Sequence, residues 1–459
     1  MLKLQKSPNT SVYDLPTLAS EKLPPPTTAP TQGRIHFIVL SKRTFFSVLA
    51  FLILTVSLVS LSPTFLSLYN SHSHRHGHSL TISSTYPPNA TVVVVGNHVV
   101  KAKIRIGTWN LKFDPLAATT IPVGQDGDGS EYKPNADYNT QISGLRVNER
   151  PWAERRWRIA DSIFNSAYDI IGFQEALVTQ VTDMQSLLGS SWSHFGVGRN
   201  DGGQKGEFSP IFYDSTRFTL LNSTTRWLST TPTVAGSISW DASQTRIVTL
   251  VTLEDKQSSA ILHLGNTHWD DQGVTAREMS GRLLRTLLPD YAKQVEKQLG
   301  LGDGKNLVGN VLLMGDLNSP AEEQGYQALT NVTLTASSLD ANASLTSPAF
   351  HDTLRILPRR AASPSNMTTQ LPLLPYGPYL TWTSFNPTSS VVQTRIDFVF
   401  LYDRSWLGSN DATTSSATNA TSLTVSRFGV GSNYNEGDLY GWKGYLTDHR
   451  PVLVELLVV

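Results

Sequence analysis

Short apolar runs recur from Val92 to the C-terminus, separated by Gly, Asn, Asp and Pro. They predict strands over 104–109, 170–173, 211–213, 247–253, 261–266, 311–314, 396–401 and 452–456. Apolar residues at helical spacing between charged ones predict helices over 152–167 and 275–288, the second stopped near Pro289; 178–188 is a third candidate. No internal repeat is present. Three segments, 115–148, 337–379 and 408–436, are rich in small polar or turn-forming residues and read as surface insertions. Within the first, Asp126-Gly127-Asp128-Gly129-Ser130 imitates the start of a calcium loop, but Glu131 stands where the sharp turn needs Gly, which excludes an EF-hand.

The first hundred residues follow a different pattern. Residues 1–43 are rich in Pro, Ser and Thr with little to bury, and are expected to form a disordered tail. An uncharged apolar run follows within 44–62; its length from Phe45 to Leu61 spans about 26 Å as a helix, enough for a thin bilayer. Lys42 and Arg43 flank it on the N-terminal side. The positive-inside rule then predicts a signal anchor with a cytosolic tail, a stalk over 63–100 and a body over 101–459 in a lumen or outside the cell. A cleaved signal peptide is the competing reading. Six N-x-S/T sequons follow the run, at Asn89, Asn222, Asn331, Asn342, Asn366 and Asn419, consistent with a glycoprotein of the secretory pathway or cell surface. The alternating histidines His72, His74, His76 and His78 read as a solvated stalk rather than a metal site, since nothing rigid positions them.

Composition narrows the chemistry. With 39% hydrophobic residues the 459-residue chain can bury a core, which excludes global disorder. The absence of cysteine excludes a disulfide framework, a thiolate zinc site and a Cys nucleophile, so any metal must be held by oxygen or imidazole. The net charge of zero is uneven: basic residues are in excess before residue 100 and acidic ones after it. An acidic body gives no general pull on a polyanion.

Polar chemistry gathers where the predicted strands end. Asn110 closes Gly107-Thr108-Trp109-Asn110, and Glu175 ends the apolar run from Ile170. A carboxylate of that kind suits Mg²⁺, which keeps several waters and takes one or two protein carboxylates. Arg199 lies in the loop Gly198-Arg199-Asn200-Asp201-Gly202-Gly203, where a guanidinium can pair phosphate oxygens. His268 sits in Asn266-Thr267-His268-Trp269-Asp270 and can donate to a phosphoryl oxygen. Asp316 and Asn318 follow Val311–Gly315 and are expected on one side of an extended segment. Asp397 interrupts an apolar strand, and His449 lies in Thr447-Asp448-His449-Arg450; a His oriented by a carboxylate is the recurring acid–base device. Each motif alone has an ordinary reading as a turn, cap or solvated strand end.

In combination and order, these motifs resemble the endonuclease/exonuclease/phosphatase superfamily, from about Ile104 to the C-terminus. The Gly-Arg-Asn-Asp-Gly loop, Gly206-Glu207-Phe208-Ser209-Pro210-Ile211-Phe212-Tyr213 and Ala276-Arg277 look most like a branch near the deadenylase-like exonucleases. The resemblance implies a DNase I-like α/β (α+β) fold, a four-layer sandwich of two face-to-face mixed β-sheets flanked by helices. It implies a divalent cation, Mg²⁺ or Mn²⁺, on Glu175 and Asn110 with Asp448 nearby. Asp316 would position or deprotonate the attacking water, while Asn318, His268 and His449 would hold phosphoryl oxygens, with Asp397 fixing His449. Arg199 would clamp phosphate. Asp271 stands where the pattern often carries His.

The expected function is metal-dependent phosphoric-ester hydrolysis by in-line attack of an activated water. The enzyme is a phosphodiesterase/nuclease or a phosphatase: the resemblance ranks a nuclease, acting on nucleic acid, first. A lipid-headgroup or small phosphate-ester hydrolase is the alternative that suits the tether and the acidic body, and no protein partner can be deduced. The alternative is a catalytically silent membrane-anchored ectodomain that binds through the same cleft.

Overall fold

The computed structural model describes residues 94–95, 98–117, 122–123, 145–301, 309–330, 350–357, 377–385, 392–402, 422–437 and 442–459. The tail, the apolar run at 44–62, the His-rich stretch, the Asp126–Ser130 motif and every sequon except Asn222 lie outside the described residues. Those from 94 onward belong to one compact unit, Asn89–Val459. Among the described residues no helix is long and apolar enough to cross a membrane.

The strands in chain order are β1 (Val94–Val95), β2 (His98–Val99), β3 (Ala102–Asn110), β4 (Ile170–Gln174), β5 (Trp192–Phe195), β6 (Ile211–Asp214), β7 (Phe218–Trp227) and β8 (Ile247–Asp255). There follow β9 (Ala260–His268), β10 (Asn310–Asp316), β11 (Phe350–Asp352), β12 (Asp397–Tyr402), β13 (Leu423–Val430), β14 (Tyr434–Asn435), β15 (Gly444–Tyr445) and β16 (Val452–Val458). The helices are α1 (Trp152–Asn165), α2 (Val178–Leu188), α3 (Val274–Gln298), α4 (Gln324–Thr330) and α5 (Thr353–Ile356). One six-stranded sheet has the order β13-β16-β3-β4-β6-β5 and the other β11-β12-β10-β9-β8-β7. Both are mixed: β3 runs parallel to β4, and β9 to β10, among antiparallel neighbours.

Alternation along the strands builds the layers. Leu312 and Met314 of β10 join Ile104 and Ile106 of β3 and Val454 and Leu456 of β16 in the core between the sheets. Val311 and Leu313 face the other way and join Leu284 and Leu288 of α3. Trp109, Ile171 and Phe173 pack with Ile159 and Ile163 of α1 and Met184 of α2. A sheet covered on both faces needs apolar residues at successive positions, which is why these strands read as continuous runs. The result is the four-layer DNase I-like sandwich expected from the resemblance.

Several elements differ from expectation. Pro289 does not stop α3, which continues to Gln298, because Leu288, Tyr291, Ala292 and Val295 keep the buried stripe unbroken past it. Packing outweighs the one backbone bond that proline removes. The segments taken as insertions at 337–379 and 408–436 contain edge strands β11 and β13, paired to β12 and β16. Asp316 and Asn318 do not share an extended segment. Asn318 has φ 46°, and its backbone N–H donates to Asp316 Oδ1 (2.9 Å), closing a turn.

Candidate active site

The topology alone brings the predicted residues to one edge of each sheet. Parallel β3 and β4 place Asn110 and Gln174 side by side at their carboxyl ends. Antiparallel β16 begins opposite the end of β3, so Asp448 and His449 arrive at the same edge. In the other sheet, His268 of β9 pairs with Asp316 of β10, and antiparallel β12 begins at Asp397, also paired with Asp316. Strands ending together explain why residues hundreds of positions apart meet.

Asn110 joins the two edges. Its amide donates to Glu175 Oε1 (3.0 Å) and to Asp316 Oδ2 (2.9 Å), and its Oδ1 accepts from the backbone N–H of Lys112 (2.8 Å). Asp316 is 1% exposed, and its Oδ2 also lies 3.6 Å from His449 Nε2 and 3.8 Å from His268 Nε2. The ring of His449 is fixed by a 2.9 Å hydrogen bond between Nδ1 and Asp397 Oδ2. Its backbone is fixed as well: Trp109 Nε1 donates to His449 O (3.1 Å), and His449 N donates to Thr447 Oγ1 (2.8 Å). Thr447 Oγ1 in turn donates to Asn110 O (2.8 Å), tying the C-terminal motif to β3.

The electrostatics divide the acids into two kinds. Burial pushes the Glu175 carboxyl up, but Lys112, His268, the Asn110 amide and His449 outweigh it and hold Glu175 well below the usual carboxylate range. Burial together with the charge of Asp397 raises Asp316 above its ordinary value, as burial does for Asp448. For His449, burial favours the neutral ring, but the charges of Asp397 and Asp316 and the hydrogen bond to Asp397 lift it to about 10. An ionised Glu175 is a ready cation ligand, whereas a carboxylate of raised basicity such as Asp316 is suited to accept a proton.

The donor set fits a hard divalent cation. Glu175 and Asp448 offer carboxylate oxygens beside the Asn110 amide, and among the described residues Asp448 Oδ1 is buried with no hydrogen-bond partner. Glu175 lies just past β4 with φ 57°, and Lys112 and Asn318 also have positive φ (56° and 46°). Left-handed non-glycine residues cluster here as strained backbone does at functional sites.

Asn318 and Arg199 occupy different positions from those expected. The Asn318 amide nitrogen is committed to Trp269 O (3.0 Å) and lies 3.0 Å from His268 Nε2, so it braces the imidazole, and only its backbone N–H reaches Asp316. Arg199 reaches the centre through Glu207: its guanidinium donates to Glu207 Oε2 (2.8 Å) and to Gln244, and Glu207 Oε2 lies 3.5 Å from His268 Nδ1. Further contributors carried no signal that singled them out. Arg246 donates to Asp271 Oδ1 (2.7 Å) and lies 3.2 Å from His268 Nδ1. Lys112 Nζ sits 3.6 Å from Glu175 Oε2, and Arg146 NH1 donates to Asp448 Oδ2 (3.2 Å). The Arg246 contact gives the acid at 271 a partner where the family pattern often has an imidazole.

Comparison with known proteins agrees with this fold. None of the curated protein sequences compared with the chain matches it. Among solved structures, an endonuclease/exonuclease/phosphatase from Bacteroides vulgatus is 21% identical, with a TM-score of 0.51 over 78% of this chain and 100% of that one. A mannosyl-6-phosphatase from Bacteroides thetaiotaomicron is 25% identical, with a TM-score of 0.52 over 77% of this chain and 99% of that one. Residues 107–426 match the family model described as Endonuclease/Exonuclease/phosphatase family, a stretch that takes in the strand-end residues from Asn110 to Asp397. The chain therefore belongs to the endonuclease/exonuclease/phosphatase family.

Proposed function

We propose that the protein is a divalent-metal-dependent phosphoric-ester hydrolase whose substrate is a small phosphate ester. The observation that carries this reading is Asp316: a buried carboxylate of raised basicity, held by Asn110 and flanked by both imidazoles. Asp316 takes a proton from the attacking water, whose oxygen forms a bond to phosphorus as the bond to the leaving alkoxide breaks, and the alkoxide takes a proton from solvent to leave as the alcohol. The His449 imidazolium, its Nδ1 held by Asp397, donates from Nε2 to a phosphoryl oxygen, while His268, with the Asn318 amide nitrogen at Nε2 and Arg246 at Nδ1, lines the same centre. Glu175 and Asp448 would hold the cation, Mg²⁺ or Mn²⁺, which when bound offsets charge on the phosphoryl group; Asn110, whose amide nitrogen faces Glu175, would have to turn its oxygen over to join them.

Asp316, Asp397 and His449 also offer ligand atoms within 4.8 Å of one another, which favours a second reading with the cation among them. Against it, His449 Nδ1 and Asp397 Oδ2 already hold each other in a 2.9 Å hydrogen bond.

The cations nearest the centre support a small ester over a polynucleotide. Among the described residues, Lys112, Arg146, Arg199 and Arg246 are each paired with an acid of the protein and do not form a track of free cations for successive phosphates. The similarity to a mannosyl-6-phosphatase points the same way. The apolar run at 44–62 and the charges before it support a membrane tether with the catalytic body on the lumenal or outer side.

The test is a panel of phosphomonoesters and phosphodiesters, sugar phosphates and lipid headgroups included, assayed with Mg²⁺ or Mn²⁺. Monoester hydrolysis that is abolished by chelator and by Glu175→Ala is expected. Activity surviving both removes the metal-dependent reading, and a folded protein inert on the whole panel revives the silent-ectodomain alternative. Preferential cleavage of oligonucleotides would replace the small-ester reading with a nuclease.

A further inference from the structure

Each acid assigned to the cation is also paired with a cation of the protein. Lys112 Nζ is 3.6 Å from Glu175 Oε2, and its side chain is only 3% exposed. Arg146 NH1 is 3.2 Å from Asp448 Oδ2, and its side chain is 57% exposed. The position of Lys112 is imposed rather than casual. Its backbone has φ 56°, its N–H donates to Asn110 Oδ1, and its carbonyl accepts from Gln180 Nε2 (3.0 Å) and Arg155 NH2 (3.3 Å). Its ammonium also rests 3.0 Å from the centroid of the Phe113 ring. A left-handed lysine clamped by three side chains and buried against a carboxylate is an arrangement that folding alone would not require.

We propose that Lys112 and Arg146 are built-in counter-ions of the cation site: they neutralise Glu175 and Asp448 in the ion-free protein and compete with the divalent ion for those oxygens. This rests on the cation site of the proposed function. The two residues stabilise the carboxylates before the ion arrives and weaken its binding, so they set the ion concentration at which the enzyme becomes loaded. Burial makes the Lys112 pair the stronger competitor, and exposure makes the Arg146 pair the weaker one.

The experiment is calorimetric titration of Mn²⁺ into the purified protein and into Lys112→Met, Arg146→Gln and Arg146→Lys. Met keeps most of the lysine stem while removing its charge. Lys112→Met is expected to bind Mn²⁺ about tenfold more tightly, Arg146→Gln about twofold to threefold more tightly, and Arg146→Lys as the parent does. Unchanged or weaker binding in folded Lys112→Met overturns the proposal. If Lys112→Met does not fold, Arg146→Gln decides alone, since its exposed side chain is dispensable for packing. A parent protein that binds no Mn²⁺ removes the cation site itself; a parent that binds, with variants that bind no better, removes only the counter-ion role.

Discussion

At the scale of single residues, Asp316 and Glu175 are separable by experiment because their surroundings drive them apart. Asp316→Asn should lower kcat/KM by about 10² to 10⁴ while leaving Mn²⁺ affinity near that of the parent, since it removes a proton acceptor and not a ligand. Glu175→Gln should instead abolish Mn²⁺ binding seen by calorimetry; the reverse assignment of losses would exchange the two roles. A third buried residue acts on stability rather than chemistry. Asn266 of β9 donates to Phe173 O (2.8 Å) and Pro210 O (2.9 Å) of the facing sheet and accepts from Gln174 Nε2 (2.7 Å). Gly172 makes room for it, because a Cβ there would meet the Asn266 amide at 2.6 Å. Asn266→Leu removes the amide donor to Phe173 O and one of the two donors to Pro210 O, which also accepts from Phe173 N (3.0 Å), and should cost about 1–3 kcal/mol in urea unfolding. Asn110, Glu175, His268, Asp397 and His449 were legible because each interrupts or ends an apolar run. Asn266, Lys112 and Arg246 were not, because a polar residue's partner in another sheet leaves no trace in local pattern.

Among elements, α1 shows how a charged surface pattern can mislead. Its Arg155 and Arg156 look like solvated positions between apolar ones, yet both are buried. Arg155 donates to Leu111 O (2.8 Å), Leu446 O (2.7 Å) and Lys112 O (3.3 Å), joining the helix to the two segments that carry Asn110 and His449. Arg155→Met should therefore cost about 3 kcal/mol or more in stability, and a fold-competent fraction should show reduced turnover because both segments lose their shared anchor. The start of α3 is held by carboxylates. Asp241 accepts from Ala276 N (2.6 Å) and Thr275 N (3.1 Å), and Asp270 accepts from Gly273 N (2.7 Å), Gln272 N (3.0 Å) and Ser243 N (3.1 Å). Burial raises the Asp270 carboxyl, but these amides and Arg246 outweigh it and leave it well below the usual range. Because the folded value is depressed, the stability Asp270 contributes is fully present above the unfolded value of about 4 and fades as pH falls through the folded one. Urea midpoints of the parent and Asp270→Asn should thus keep a constant gap from pH 7 to about pH 5 and draw together as the pH falls below about 4; a gap still undiminished at about pH 3 would assign the carboxylate no linkage. The strands missed at the edges, β11 and β13, lie in stretches whose Ser, Thr and Asn content resembles loops. Pairing with apolar β12 and β16 decides their conformation, and that information resides in the partners.

For the whole molecule, the active site is a consequence of two mixed sheets ending at a common edge. Asn110, Glu175 and Asp448, the group proposed to surround the cation, belong to one sheet, whereas Asp316, Asp397 and His268 belong to the other. The sheets communicate there through Asn110 to Asp316 and through His449 to Asp397 and Asp316. An ion bound on the first sheet steadies Asn110 and the Asp448–His449 segment, and with them the contacts that cross to the second. Binding to the folded chain alone must then raise global stability by mass action, about 2.7 kcal/mol at a free ion concentration one hundred times Kd. For a body of this size that corresponds to a rise in Tm of about 5 °C, removed again by chelator. The same rise should be absent in Glu175→Gln and retained in Asp316→Asn, although both variants lose turnover. If the ion were held instead by Asp316, Asp397 and His449, the two variants would exchange behaviour, because the thermal shift follows the ligand whether or not the chemistry proceeds.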